Sequence, residues 1–343
     1  MIVILAVLLV ILVTTFIILK TSNNAPSDNS GDLVGATEPP SESAGIGDPS
    51  GTEPTVTLKK WQKNSFDESI FNIAADSSTV TLKSTDIYSN NIIMIDAETG
   101  RIVCEFESDE RIYPASMTKI MTVIVACELI DDMNDTFALT NEIIDPLVRE
   151  NASRAEFKVG EQVKMVDYIY GAMLPSGADA TAALAISLAG SKTRFVELMN
   201  QKAQELGCVD THFVNTSGLH HNDHYSTARD MAKIMAYAIH NTFLKEVMST
   251  ETYTPSAPLT SGGTKLRSTW KGLLGTYTAK NATMLAAKTG YTEEAGNCLA
   301  SLSRGNDGRE YIIISAGAFR TDDISGKNQA FADAQKLCDR FIK

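Results

Sequence analysis

An α+β fold is predicted, with one antiparallel sheet formed from both ends of a domain and a helical subdomain beside it. Three observations carry this. A strand pair around a tight turn, residues 91–107, lies early in the globular sequence. Five helical patterns fill the middle, between residues 114 and 238. Three strand candidates and an amphipathic helix close the chain, between 285 and 341. Strands at both ends with helices between them make one sheet only if the two ends meet, and the helices then bury their apolar faces against it and each other.

From the N-terminus, residues 1–19 are uncharged and almost wholly apolar. As a helix they would span ~28 Å, close to the hydrocarbon thickness of a bilayer. A cleaved signal peptide has a shorter apolar core, basic residues ahead of it and a small-x-small site behind it. Here Lys20 is followed by Thr-Ser-Asn-Asn, so 1–20 is expected to be an uncleaved membrane anchor, with a secreted protein the alternative if it is cleaved. Residues 21–57 are expected to be a flexible acidic linker. Positions 21–54 hold no Lys or Arg and six acids, half of the net charge of −12. Such a stretch cannot bury enough apolar surface to order itself, and as a tether it would reach ~30 Å root-mean-square.

The globular part, 58–343, is expected to open with strands at 91–97 and 101–107 around Glu98-Thr99-Gly100, a hairpin signal. Helices are expected at 114–130, 165–174, 178–189, 192–206 and 228–238. Pro114 suits a first helical turn, and the nearly unbroken apolar run from Ile120 to Ala126 predicts a helix buried on most sides. Strands are expected at 285–289, 298–303 and 311–319, then an amphipathic helix from about 328 to 341. No internal repeat is present and no second domain is expected after that helix.

Composition narrows the function. Hydrophobic content is 43% and charged content 21%, ordinary for a globular protein. The net charge of −12 and the lack of a basic stripe argue against nucleic acid as partner. Cys104, Cys127, Cys208, Cys298 and Cys338 are scattered without C-x-x-C spacing, which argues against a zinc ribbon. No disulfide framework is implied, and Cys104 and Cys127, in apolar runs, read as core.

The chemistry begins with Ser116 and Lys119 in Tyr-Pro-Ala-Ser-Met-Thr-Lys. Three residues apart, they share one face of a helix, one turn apart. Serine alone is a poor nucleophile, and a neutral amine can take its proton. A lysine does this only if burial or a second cation lowers its pKa, and a helix N-terminus favours the developing negative charge. S-x-x-K alone recurs by chance, and most such serines are caps or surface polars. A pocket, a second cation and an oxyanion hole are needed. Two fragments are candidates to complete such a site: Ser176-Gly177-Ala178 in a turn between two helices, and Lys288-Thr289-Gly290 at the end of an expected strand.

In this order, S-x-x-K, S-G-x and K-T-G, the chain resembles the D-alanyl-D-alanine carboxypeptidases, the low-molecular-weight penicillin-binding proteins that trim bacterial cell-wall peptides. The resemblance covers roughly residues 88–340. It also includes Ile95-Asp96-Ala97-Glu98-Thr99-Gly100, Gly218-Leu219, His224 to Met231, and Gly290 to Gly296. It implies the penicillin-binding-protein/β-lactamase-like transpeptidase fold, no cofactor, stem peptides ending in D-Ala-D-Ala as substrate, and β-lactams as covalent inhibitors. It also implies a domain outside the bacterial cell membrane, anchored by the N-terminal segment. Residue by residue, it implies that Ser116 attacks the D-Ala-D-Ala carbonyl, Lys119 is the general base, and Ser176 passes a proton to the leaving D-alanine. Lys288 and Thr289 would hold the substrate carboxylate, and Lys288 would help keep Lys119 neutral. The N–H groups of Ser116 and Tyr291 would form the oxyanion hole. Gly290 would let the substrate backbone lie against the strand edge.

One position departs from the pattern: the family's second motif usually ends in Asn, and here Ala178 stands there. Two alternatives follow. A β-lactamase shares the motifs but needs a base for the deacylating water, and no clear Glu-x-x-Leu-Asn element is present. A wall-binding or penicillin-sequestering protein, disabled at Ala178, is the other. Among the remaining polar residues, His220, His221 and His224 spell H-H-x-x-H, but a metallopeptidase needs a helical H-E-x-x-H. No metal is therefore expected, and His224 reads as fixing a loop near the site. Arg229 and Asp230 read as a structural pair at a helix start, Arg320 as a surface arginine, and Tyr168 and Tyr170 as helix packing.

Overall fold

The computed structural model describes residues 72–260, 262, 263, 265–274, 279–319 and 328–342. The expected anchor, the expected linker, the start of the globular part up to residue 71, and Arg320 lie outside the described residues. Among the described residues no helix is long and apolar enough to cross a membrane.

In chain order the strands are β1 (Val80–Thr81), β2 (Asn91–Asp96), β3 (Ile102–Phe106), β4 (Arg111–Ile112), β5 (Thr136–Ala138), β6 (Gln162–Lys164), β7 (Ser226–Thr227), β8 (Thr252–Tyr253), β9 (Leu266–Arg267), β10 (Ala282–Thr292), β11 (Gly296–Gly305) and β12 (Glu310–Ala318). The helices are α1 (Thr118–Leu129), α2 (Asn141–Arg149), α3 (Met165–Met173), α4 (Ala178–Ala189), α5 (Lys192–Glu205), α6 (Ala228–Ile239), α7 (Thr242–Ser249), α8 (Thr269–Leu274) and α9 (Gln329–Phe341).

The main sheet has the order β1-β3-β2-β12-β11-β10. It is antiparallel except for the short β1–β3 pair. The chain ends do meet: β2 pairs with β12 in the register Ile93↔Ile314 and Ile95↔Ile312. Both faces of the sheet are covered, so β2 is a continuous apolar run with every residue buried. Its side chains alternate. Ile93 and Ile95 join the core beneath the helical cluster, while Ile92 and Met94 join a second core under α9, with Phe331 and Leu337. Helix α1 runs through the larger core with eleven of its twelve residues buried, as an all-round apolar helix should.

Three helices were not among the expected elements. Helix α2 contains Pro146, which argues against a helix, although Ile143, Ile144, Leu147 and Val148 recur at helical spacing. Helices α7 and α8 have eight and six residues, too short for a periodic signal. The K-T-G segment is also placed differently. Lys288-Thr289-Gly290 lies inside β10 and not at its end, because pairing with β11 continues through Gly290↔Cys298, Tyr291↔Asn297 and Thr292↔Gly296. Strand β10 is thus a long edge strand, with its free edge toward the start of α1.

Candidate active site

The nucleophile sits on a short 3₁₀ turn, Ala115–Met117, between β4 and α1. Ala115 has φ 46°, a left-handed conformation that alanine rarely adopts. Two glycines clamp this turn. Gly218, at φ +83°, lies so close that a Cβ there would overlap the Ala115 carbonyl. On the other side, a Cβ on Gly290 would lie 3.1 Å from the Ala115 Cβ, the Pro114 oxygen and the Ser116 nitrogen. Gly290 thus makes room for the turn that carries Ser116.

Lys119 is 2% exposed. Its Nζ donates to Ser116 Oγ at 2.8 Å and to the Ser217 carbonyl at 2.5 Å. The Ser217 loop is shaped by Asn215, whose Oδ1 accepts from Ser217 N at 3.1 Å and Gly218 N at 2.7 Å, and whose Nδ2 donates to Leu219 O at 2.8 Å. Burial lowers Lys119 to a pKa of about 7, and Asp179 pulls the other way. An amine with that pKa is substantially neutral at physiological pH. With one N–H committed to the Ser217 carbonyl, its lone pair can face Ser116 Oγ.

Ser176 and Lys288 form a second pair. Ser176 precedes α4 with φ 64°, and Lys288 Nζ donates to Ser176 Oγ and to the Thr289 carbonyl, both at 2.9 Å. Lys288 is 1% exposed. Burial puts its pKa well below the ordinary lysine value, and the Lys119 charge lowers it further. Burial is the largest cause of the lowering at both lysines, and their like charges disfavour charging both at once. Thr289 Oγ1 lies 2.9 Å from Thr269 Oγ1, the first residue of α8, and Tyr291 is exposed at the far end of the K-T-G-Y segment.

Ala178 is buried at the first position of α4, and its N–H donates to Ser153 O at 2.7 Å. Besides Ser116 Oγ, Lys119 donates to the Ser217 backbone carbonyl.

His224 does fix a loop. Its Nδ1 accepts from Val214 N at 3.1 Å, so Nε2 carries the proton and donates to Thr118 Oγ1 at 2.7 Å. Burial lowers its pKa to about 3, so the ring is neutral. Among the described residues no group of three potential ligands could hold a metal. Arg229 and Asp230 are not each other's partners, as had been expected. Arg229 binds Glu105 and Asp109, while Asp230 binds Asp210 N, Thr211 Oγ1 and Lys233. From the first turn of α6 they turn to different partners. Tyr168 is packed as expected, edge-on to Phe157, and Tyr170 stacks on Tyr253. Sequence reasoning missed Asn215, Ser217 and Thr269. Ser217 acts through a backbone carbonyl, which no side-chain pattern reveals, and the readable signal was only the neighbouring Gly218-Leu219.

A family model described as D-alanyl-D-alanine carboxypeptidase matches residues 78–319. The chain is 32% identical over 242 residues to the D-alanyl-D-alanine carboxypeptidase DacF of Bacillus subtilis, covering 66% of this chain and 57% of that protein. It is 33% identical over 248 residues to a D-alanyl-D-alanine carboxypeptidase of Streptomyces sp. strain K15, covering 68% of this chain and 84% of that one. The chain therefore aligns with little more than half the length of the Bacillus relative. The crystal structure of the Streptomyces K15 DD-transpeptidase superposes with a TM-score of 0.64 at 29% identity, over 73% of this chain and 95% of that one. The fold is that of the penicillin-binding transpeptidases, and this chain belongs to the D-alanyl-D-alanine carboxypeptidase family.

Proposed function

We propose that this protein is a serine D-Ala-D-Ala carboxypeptidase that removes the terminal D-alanine from peptidoglycan stem peptides and is acylated by β-lactams. The observation that carries the reading is the 2.8 Å contact between Ser116 Oγ and the amine of Lys119, whose pKa is about 7. Ser116 attacks the scissile carbonyl as Lys119 takes its proton. The oxyanion is received by the N–H groups of Ser116 and Tyr291, a role supported by the close approach of Gly290 to Ser116 N and worth about 3–4 kcal/mol per donor. The substrate's terminal carboxylate docks on Lys288 and Thr289. That anion supplies the countercharge Lys288 lacks when the site is empty, so binding favours the charged form of Lys288. Ser176, held on Lys288 at 2.9 Å, delivers the proton to the leaving D-alanine, and water then hydrolyses the acyl-enzyme. The apolar residues 1–19 support attachment to the bacterial membrane, with the domain outside on the acidic linker.

The test is covalent labelling by a fluorescent penicillin together with D-alanine release from diacetyl-Lys-D-Ala-D-Ala. Wild type is expected to label and to release D-alanine steadily, and Ser116→Ala to do neither. Labelling that persists in Ser116→Ala would refute the mechanism. A second reading, a penicillin-binding protein with weakened turnover, is favoured by Ala178, which places no amide at the motif's third position. Under that reading Ala178→Asn raises D-alanine release about tenfold or more. Under full activity it changes release by less than about threefold.

A further inference from the structure

We propose that Asn215 is a positioning residue for both catalytic groups: its one amide folds residues 217–219 so that the Ser217 carbonyl meets the Lys119 amine while Gly218 presses on the turn that carries Ser116. This rests on the reading of Ser116 as nucleophile and Lys119 as base, and it concerns a residue outside the three motifs.

Asn215 Oδ1 accepts from Ser217 N at 3.1 Å and Gly218 N at 2.7 Å, and its Nδ2 donates to Leu219 O at 2.8 Å. Two N–H groups at one end and a carbonyl at the other fix which end is oxygen and which nitrogen. Among the described residues, Ser217 N, Gly218 N and Leu219 O make no other hydrogen bond. Packing does not replace these bonds. A cavity of about 690 Å³ adjoins the loop, lined in part by Ala178, Ala182, Asn215, Thr216 and Ser217. Atoms that face a void have no partners on that side, so directed bonds must hold the loop's shape. The base of the loop is tied separately. Thr216 O accepts from Thr122 Oγ1 of α1 at 2.7 Å, and Thr216 Oγ1 donates to Thr181 Oγ1 of α4 at 3.2 Å. Those bonds fix where the loop leaves the helices, and Asn215 fixes how it turns.

The turn acts at two places. The Ser217 carbonyl takes one N–H of Lys119 at 2.5 Å, while Lys119 Nζ lies 2.8 Å from Ser116 Oγ. The next residue, Gly218, lies at φ +83° directly against the Ala115 carbonyl, one residue before the nucleophile. A single amide therefore sets the orientation of the base and the placement of the serine together. A misplacement of ~1 Å in either is enough to slow the reaction about a hundredfold.

The experiment measures the rate of labelling by a fluorescent penicillin from pH 5 to 9 in wild type, Asn215→Ala and Asn215→Asp, with thermal unfolding as a fold control. Asn215→Ala should label about a hundredfold more slowly. Losing the Ser217 carbonyl removes an acceptor that favours the charged amine, so Lys119 gives up its proton at lower pH. The acid limb should therefore move down by about half a unit or more. Lys288, His224 and Asp179 also act on Lys119, and they are the same in every variant. Asn215→Asp keeps an acceptor for Ser217 N and Gly218 N, so it should label within about tenfold of wild type, with an acid limb no lower than wild type. A folded Asn215→Ala that labels at the wild-type rate would overturn the proposal. So would one slowed equally at every pH with an unmoved midpoint, because that is the mark of a purely structural role. If Asn215→Ala does not fold, Asn215→Asp decides: slowing beyond about tenfold in a folded protein sinks the proposal. Failure of both variants to fold sinks it too, since the amide would then hold the fold and not the site. Absence of labelling in wild type would instead refute the functional reading itself.

Discussion

Lys119 makes its function expensive for the fold. An amine with a folded pKa of about 7 against an ordinary 10.5 binds fewer protons folded than unfolded between those two values. Stability therefore rises with pH across that window, and the cost of burying the lysine is fully present at pH 7 and below. Lys119→Met fills the same space without that cost. It is expected to stabilise the protein at pH 7 by about 1–3 kcal/mol, the range found when buried charges give way to apolar side chains, and to gain less at pH 9. Penicillin labelling should be abolished. Unfolding curves at both pH values check the sign, and a variant less stable than wild type at pH 7 would show that the bonds to Ser116 and Ser217 outweigh desolvation. In wild type the same pKa places the midpoint of the acid limb of acylation near pH 7.

The turn carrying Ser116 depends on two elements that approach from opposite sides, β10 at Gly290 and the 215–219 loop at Gly218. These contacts differ in severity, which yields a graded prediction. Gly290→Ala creates 3.1 Å contacts that relax with shifts of a few tenths of an ångström. It should retain the fold and lower acylation by about tenfold to a hundredfold, as small misplacements of a nucleophile do. Gly218→Ala combines φ +83° with direct overlap of the Ala115 carbonyl, so it should remove measurable acylation and cost about 2–4 kcal/mol. Equal effects of the two substitutions on labelling would refute the clamp. The contrast also shows what was legible in sequence. Residues Ser116, Lys119, Ser176 and Lys288 could be paired because side-chain chemistry at fixed spacing is written in residue types. The clamp could not be read, since it consists of backbone brought close across 102 and 174 positions of chain. The same holds for the Ser217 carbonyl on Lys119, and for α2, whose Pro146 hides a helix that tertiary packing sustains.

At the scale of the whole molecule, the sheet brings together segments from the two ends of the domain, and that much followed from strands lying on either side of a helical middle. What the sequence did not show is how the ends are fastened. Asp333, inside α9, reaches back to the chain just before β2. Its carboxylate accepts from Tyr88 N at 2.9 Å, Ser89 N at 2.7 Å and Ser89 Oγ at 2.7 Å, and it is fully buried. An acid in an amphipathic helix, here one of two with Asp339, reads as a solvent-facing side chain, and only the closed sheet reveals the three donors of Asp333. Helix α9 lies over the second core, with Phe331 and Leu337, whereas Ser116 and Lys119 lie where α1 enters the larger core. The fastening and the site can therefore be separated by experiment. Asp333→Ala leaves the three donors without an acceptor, which costs about 1–3 kcal/mol for each buried group left unpaired, less whatever water recovers. The expected loss is at least about 2 kcal/mol, seen as a lower midpoint in urea with an unchanged slope. Penicillin labelling at 25 °C should stay within about twofold of wild type, because none of the clamp, the two lysines or Asn215 touches Asp333. A folded Asp333→Ala protein that has lost labelling would mean that the sheet transmits strain from the β2 side to its β10 edge, and that the site is not held by its own glycines alone.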